Sequence, residues 1–205
     1  NRSSFFDYNF LMKFKIFKFK SVTSTNDVAV NLIQEEKETT GCVYAEIQTK
    51  GRGTHGRRWI SDKGNLFGSL FFPLKNNYPA FNEFSIINPV ILSGVIENYC
   101  KKKNVSFKWP NDVLVNRKKI CGILQELITS NNKKFLIIGI GINIVSHPNI
   151  NNEYQATNIF LETKIKLPIR EIMDKIIFSY ENFFLNLNSY NYSSFKKKAD
   201  LMAEN

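Results

Sequence analysis

Four strand-like runs crowd the stretch 105–144, and no other feature constrains the fold as strongly. They cover 105–109, 113–115, 120–128 and 134–144, and are rich in Val, Ile, Leu and Phe. Between them lie Asn116-Arg117 and Asn131-Asn132, which read as two-residue hairpin turns. Strands joined so tightly pair antiparallel. Upstream, 42–49 reads as a strand with Val43, Ala45 and Ile47 on one face, and 65–74 as a Phe-rich strand. Over 11–20 the apolar parity moves from Phe14 and Ile16 to Phe17 and Phe19, a phase slip of the kind a bulge produces. Ser24-Thr25-Asn26-Asp27 fits a capping box ahead of Val28, Leu32 and Ile33. Phe84, Ile87, Ile91 and Val95 keep helical spacing, which predicts a helix over 83–102 despite Pro89. Pro168 stands where a first helical residue would, ahead of Ile169, Ile172, Met173, Ile176, Ile177 and Tyr180. The class is α+β: a mixed, largely antiparallel sheet packed with helices.

Composition excludes several classes. Of the 205 residues, 43% are hydrophobic and 14% aromatic, with 18 Phe, so the chain is not intrinsically disordered. No apolar run approaches the ~18 to 20 residues of a membrane span. The first twenty residues alternate apolar side chains with lysines and lack the continuous core of a signal peptide. Cys42, Cys100 and Cys121 are odd in number and form no Cys-x-x-Cys pair, which points away from a disulfide or zinc scaffold and toward a reducing compartment. A net charge of +10 would suit nucleic acid, an anionic membrane or an acidic partner. Lys, Asn, Ile and Phe are enriched together, however, as AT-rich coding alone would produce.

Three segments do not read as scaffold. In Gln48-Thr49-Lys50-Gly51-Arg52-Gly53-Thr54-His55-Gly56-Arg57-Arg58-Trp59, glycines and arginines combine backbone donors with guanidinium forks. That suits a phosphate or a carboxylate, or else a plain basic surface loop. Its spacing is neither a P-loop nor Gly-x-Gly-x-x-Gly. Lys108-Trp109-Pro110-Asn111-Asp112 ends a strand; Asn111 and Asp112 there either position a nucleophile or a metal, or simply form a turn. In Arg117-Lys118-Lys119-Ile120-Cys121-Gly122-Ile123-Leu124, a lysine enters an apolar strand ahead of a glycine that leaves room for a ligand. His55 and His147 read as exposed loop histidines, and the cysteines as core residues.

Taken in order, these segments resemble the catalytic domain of the biotin–protein ligases, the biotin–[acetyl-CoA-carboxylase] ligase and holocarboxylase synthetase family. The matching stretches are Thr23-Ser24-Thr25-Asn26, the loop from Gly51 to Trp59, Lys108 to Asp112, Arg117 to Leu124, and Gly139-Ile140-Gly141-Ile142-Asn143, with Ala156-Thr157-Asn158-Ile159 as a later ligand loop. The resemblance implies the class II aminoacyl-tRNA-synthetase-like biotinyl/lipoyl transferase fold. It also implies an ATP-dependent ligase that makes biotinyl-5′-AMP and pyrophosphate, then passes biotin to one lysine of a biotin carboxyl carrier domain of a biotin-dependent carboxylase.

Residue by residue, the resemblance assigns Ser24, Thr25, Asn26 and Gln48 to biotin, with Arg52, Gly53 and Thr54 in the loop that closes over it and Gly122 giving it room. Thr54 departs from the basic residue that many members carry there. Arg57 matches a phosphate-binding arginine, Trp59 an aromatic beside adenine, and Lys119 the lysine that reaches the biotin carboxylate and α-phosphate. Asn111 and Asp112 match the pair near the adenylate and the incoming lysine, and Asn143 an adenylate contact. Arg57, Lys119 and Asp112 are thus the implied catalytic residues. ATP, biotin and Mg²⁺ are the implied substrates and ion, with no metal-ligand set assigned.

The expected organisation is a catalytic domain over 1–190 and a tail over 191–205, where relatives continue into a small β-barrel domain. With only about 23 residues ahead of Ser24, no N-terminal DNA-binding domain is expected. A cytoplasmic or organellar (plastid or mitochondrial) location follows, not a secreted one, with no membrane or DNA partner; a homodimer is left open. Two alternatives remain. Lipoate–protein ligases and octanoyl transferases share the fold, but tend to carry Arg-Arg-x-x-Gly-Gly-Gly at the 51–59 position and do not usually show Lys-Trp-Pro-Asn-Asp. A non-catalytic basic nucleic-acid-binding module would rest on the net charge and the Lys101–Lys103 and Lys196–Lys198 runs, among which no stacking aromatics recur.

Overall fold

The computed structural model describes residues 12–148 and 155–203; Leu11, the first residue of the expected strand, lies outside them. Among the described residues one seven-stranded sheet is formed by β1 (Lys15–Val22), β2 (Gly41–Gln48), β3 (Leu66–Pro73), β4 (Val105–Lys108), β5 (Asp112–Val115), β6 (Lys118–Ser130) and β7 (Lys133–Ile142). Their spatial order is β1-β2-β3-β7-β6-β5-β4. β1 and β2 are parallel, joined through helix α1 (Thr25–Gln34), and every other neighbouring pair is antiparallel. The two expected hairpins are present: Asn116 and Arg117 have φ of 50° and 64°, Asn131 and Asn132 of 48° and 58°. Positive φ at both central residues matches the turn to the right-handed twist of the strands.

Helices α2 (Phe84–Tyr99) and α4 (Ile169–Leu185) cover one face of the sheet. Leu136, Ile138, Ile140 and Ile142 of β7 meet Ile87, Val95, Met173 and Ile176 there. A buried polar chain crosses this core with its bonds satisfied: Tyr180 Oη donates to Asn88 Oδ1 at 2.9 Å, and Asn88 Nδ2 to Gln125 Oε1 at 3.0 Å. α1 covers part of the opposite face through Ala29, Leu32 and Ile33, packed on Val43, Phe71, Phe135 and Ile137. A short helix α3 (Ile159–Thr163) follows, and α5 (Tyr192–Met202) sets Ala199 against Ile86 and Val90 of α2 and Phe107 of β4.

Several local expectations are corrected. β1 runs beside β2 without a register shift, so it carries no bulge. Phe14 packs edge-on against Phe72, with centroids 6.2 Å apart, while Phe17 turns to Phe71 on the α1 face. The apparent phase slip is the two faces of the sheet, met by Phe14 just ahead of β1 and by Phe17 within it. α2 ends at Tyr99, three residues short of 102, where buried Cys100 closes it. Pro168 is the cap preceding α4, with ψ of 135°, rather than its first helical residue. Ser24 does precede α1 in an extended conformation, but its side chain makes no capping bond. The Thr25 N–H instead donates to Gln48 Oε1 at 2.8 Å, so a strand residue satisfies an orphan donor of the first turn. Of the four residues that suggested a cap, Ser24, Thr25 and Asn26 line a cavity and Asp27 pairs with Arg52.

Candidate active site

The face that α1 leaves uncovered holds a cavity of about 570 Å³, within the range of small-molecule sites. Every residue the resemblance assigns to the ligands lines it: Ser24, Thr25 and Asn26 at the start of α1; Gln48 at the end of β2; Arg52, Gly53, Thr54, Arg57 and Trp59 on the 51–59 loop; Asn111, Asp112, Lys119 and Gly122 on β5, β6 and the turn before them; and Asn143 just after β7.

Side-chain parity builds the floor. Phe67, Gly141, Gly122 and Asp112 stand opposite one another across β3, β7, β6 and β5. Large residues of β7 fill the α1 end of this face (Phe135 and Ile137), then give way to Gly139 and Gly141. A Cβ on Gly139 would lie 2.4 Å from Asn26 Oδ1; on Gly141, 2.4 Å from Trp59 Cε2; on Gly122, 2.5 Å from Trp59 Cζ3. The Trp59 indole therefore lies directly on a pair of facing glycines. Its Nε1–H is buried without a hydrogen-bond partner, at a cost of about 1 to 3 kcal/mol that a ligand acceptor would remove.

Lys119 reaches the same face through a bulge. Val113 pairs with Cys121 and Leu114 with Lys119, so Ile120 is surplus, and both Ile120 and Cys121 point into the helix-covered core. Without it, Lys119 and Gly122, three residues apart, would face opposite ways. The bulge also frees backbone groups: Lys119 N–H donates to Gln155 O at 2.9 Å, Thr157 N–H to Lys119 O at 2.9 Å, and Asn143 N–H to Ile120 O at 2.9 Å. This draws the 155–158 segment to the cavity edge, where Ala156 lines it. Asn143 is buried, with Nδ2 donating to Thr157 O at 3.0 Å.

The Lys119 ammonium lies 2.8 Å from Asp112 Oδ1 and 5.4 Å from the Trp59 ring centroid. The carboxylate contact is an ion pair made off the hydrogen-bonding angle. Asn111 Nδ2 donates to Thr54 Oγ1 at 3.2 Å, so Thr54 ties the loop to the β4–β5 turn. The Trp109–Pro110 peptide in that turn is cis. His55 is exposed on the loop, whereas His147 is half-buried with Nδ1 2.7 Å from Asn158 Nδ2, so the exposed reading holds for the first only.

Arg52 does not aim its guanidinium at the cavity. Nη1 and Nη2 donate to Glu126 Oε1 and Oε2, both at 2.8 Å, and Nη2 also to Asp27 Oδ1 at 2.8 Å. The Glu126 hydrogen bond holds Arg52 above the usual guanidinium pKa. Glu126 escaped the sequence reading; its signal is a lone acid sharing the parity of Gly122 and Leu124. Ser69 also went unnoticed: buried beneath α1, its Oγ bonds Thr25 Oγ1 at 2.8 Å and Asn26 Oδ1 at 2.5 Å. The thiols stay outside the chemistry. Burial pushes Cys42 up to about 12, Cys100 up to about 11 and Cys121 higher still, which keeps them protonated.

Among the described residues no cluster of three His, Cys, Asp or Glu is arranged to hold a metal ion. The carboxylate beside Lys119 is that of Asp112, and Asn111, next to it in the chain, also lines the cavity. No described helix is long and apolar enough to cross a membrane.

Comparison with known proteins meets this geometry at the same segments. The model of the biotin/lipoate A/B protein ligase family matches residues 18–143. The bifunctional ligase/repressor BirA of Escherichia coli is 35% identical over 125 residues, which are 60% of this chain but 38% of that relative. The biotin protein ligase of Leishmania major, solved with biotinyl-5-AMP, superposes with a TM-score of 0.80 at 28% identity, covering 93% of this chain and 81% of the other. That of Aquifex aeolicus, solved with biotin and ATP, gives 0.74 at 28% identity over 90% and 76%. The fold is thus the one the resemblance implied. With the family's matched stretch supplying six of the seven strands entire, part of β1 and most of the cavity lining, the chain belongs to the biotin/lipoate A/B protein ligase family.

Proposed function

We propose that this chain is a biotin–protein ligase, which joins biotin to ATP and then passes biotin to a lysine of a biotin carboxyl carrier domain. The observation that carries the reading is the division of one cavity. Ser24, Thr25, Asn26 and Gln48 offer neutral donors and acceptors at one end, and Lys119 and Arg57 offer cations elsewhere on the lining. A neutral ureido ring suits the first group, and a carboxylate meeting a triphosphate suits the second. The likeness to structures solved with biotinyl-5-AMP and with biotin and ATP supports the same assignment.

In the first step a biotin carboxylate oxygen bonds to the α-phosphorus while the bond to the bridging oxygen breaks, and pyrophosphate leaves. Negative charge gathers around phosphorus, where the Lys119 ammonium and Arg57 guanidinium would stabilise it. Asp112 and Asn111 would hold Mg²⁺ only together with ATP's own phosphates, since that ion binds through few carboxylates plus phosphate and water. Bound there, it would neutralise phosphate charge. In the second step the acceptor amine, having lost a proton, attacks the acyl carbon, and the carbon–oxygen bond to AMP breaks. Asp112, relieved of Lys119 once the ligand's anions engage that lysine, would attract the acceptor ammonium and align it.

Biotin-dependent exchange of labelled pyrophosphate into ATP tests the reading, with lipoate as the rival substrate. Adenylate seen by mass spectrometry with biotin supports it; exchange with lipoate alone overturns it. Asp112→Asn should slow single-turnover transfer from supplied adenylate by on the order of tenfold or more, with a smaller effect on exchange. A mutant that loses both steps together with thermal stability would reduce Asp112 to a structural role.

A further inference from the structure

We infer that Glu126 is a positioning residue, whose carboxylate couples closure of the 51–59 loop to the orientation of the amide at the inner end of the cavity. The inference rests on the biotin-ligase reading of that cavity. Glu126 lies on β6 beyond Gly122 and Leu124 and does not itself line the cavity. It acts through two residues that do. One is Arg52, gripped by both carboxylate oxygens at 2.8 Å. The other is Asn26, whose Nδ2 donates to Glu126 Oε2 at 2.6 Å and more weakly to Leu124 O at 3.4 Å.

The consequence for Asn26 follows from its inventory of atoms. Its Nδ2 faces two acceptors, and its Oδ1 accepts from Ser69 Oγ at 2.5 Å. Turning the amide over would set Oδ1 against the Glu126 carboxylate, so the charge fixes which atom points where. Gly139 leaves no slack, since even a Cβ there would collide with Oδ1.

The consequence for the loop follows from its anchors. Its backbone bonds are largely internal: Gly53 N–H to Arg57 O at 2.7 Å and Trp59 N–H to Gly51 O at 2.9 Å. Its ties to the body are Trp59 on the glycine floor, Thr54 on Asn111, and the Arg52 fork. A bidentate guanidinium–carboxylate pair is the strongest polar tie of this set. Asp27, at 2.8 Å from Arg52 Nη2, supports the fork from α1 but meets a single nitrogen. One carboxylate therefore sets both the neutral end of the cavity and the cover over it.

Glu126→Gln keeps the shape and removes the charge. The KM for biotin in pyrophosphate exchange should rise on the order of tenfold, the size of a lost charge-assisted hydrogen bond, with a parallel rise in the biotin off-rate. kcat at saturating biotin and the melting temperature should change little. Glu126→Asp, which keeps the charge, should recover part of the loss. In a double-mutant cycle, adding Glu126→Gln to Arg52→Ala should cost less than Glu126→Gln alone, because only the Asn26 contact is then left to lose. Additive effects, or an unchanged KM and off-rate, would overturn the inference, as would a fall in kcat and stability with KM unmoved. A separate arm needs no ligand: amide exchange over 51–59 should speed up in Glu126→Gln, and unchanged protection overturns the coupling. Should the native chain show no biotin-dependent exchange, the ligase reading fails, and this arm alone decides whether Glu126 holds the loop.

Discussion

Lys119→Ala should lower biotin-dependent pyrophosphate exchange by roughly two to three orders of magnitude, the loss of about 3 to 4 kcal/mol expected when a preorganised charge at a developing anion is removed. The substitution isolates the ammonium. Lys119 is seated by main-chain bonds to Gln155 and Thr157, which alanine keeps, so the 155–158 segment should stay docked. It also strands Asp112, only 14% of whose side chain is exposed, without its cation. An uncompensated carboxylate would repel the triphosphate as well, so both KM for ATP and kcat should suffer. Adding Asp112→Asn removes that repulsion, and KM for ATP should then recover while kcat stays low. Exchange assays on the single and double variants, with melting curves, check the result. Near-native kcat in Lys119→Ala would refute the role given to the lysine.

The second large effect belongs to the floor. Gly122→Val and Gly141→Val should each weaken binding of the adenylate by on the order of ten- to a hundredfold, as overpacking costs about 1 to 3 kcal/mol. Neither glycine has a positive φ, so the cause is space rather than backbone conformation. A first side-chain carbon at either position would come within 2.5 Å of Trp59, a flat ring that cannot bend away. The indole must lift, and the loop it anchors must move with it. Gly94 in α2 is the control, since nothing stands within 4 Å of a Cβ there; Gly94→Ala should leave binding intact and stabilise the helix by about 0.5 to 1 kcal/mol. Calorimetric titration with a non-hydrolysable adenylate analogue measures all three. Native affinity in the valine variants would show that the floor is wider than the Trp59 contact suggests.

The elements easiest to read from the sequence were those specified within a few residues. Two-residue turns at Asn116-Arg117 and Asn131-Asn132 announce hairpins because few residues accept positive φ, and α4 announces itself by a one-sided apolar stripe. The cavity residues were legible too, as polar and glycine-rich stretches that a core would not require. What escaped was decided by distant partners. Ser24 to Asp27 carry the residues of a cap, but Gln48, 23 positions away from Thr25, takes the helix N–H and Arg52 takes Asp27. Phe14 and Phe17 sit in one edge region yet serve opposite faces, each chosen by a different phenylalanine of β3. Glu126 looks like an ordinary strand acid until the loop folds back over it.

The surplus residue in β6 has a further meaning. From Cys121 onward the strand follows β7, but at Lys119 its free edge is taken by the 155–157 stretch, while Asn143 closes on Ile120. The strand thus forks, and the lysine stands in the crotch of the fork, located by main-chain atoms from two remote parts of the chain. None of those atoms belongs to a particular side chain. The placement is therefore a property of the path rather than of its composition: neighbours in sequence can drift, provided the fork keeps its branches. What evolution must guard at this point is a junction of backbones, with a single amine as the one chemical choice made upon it.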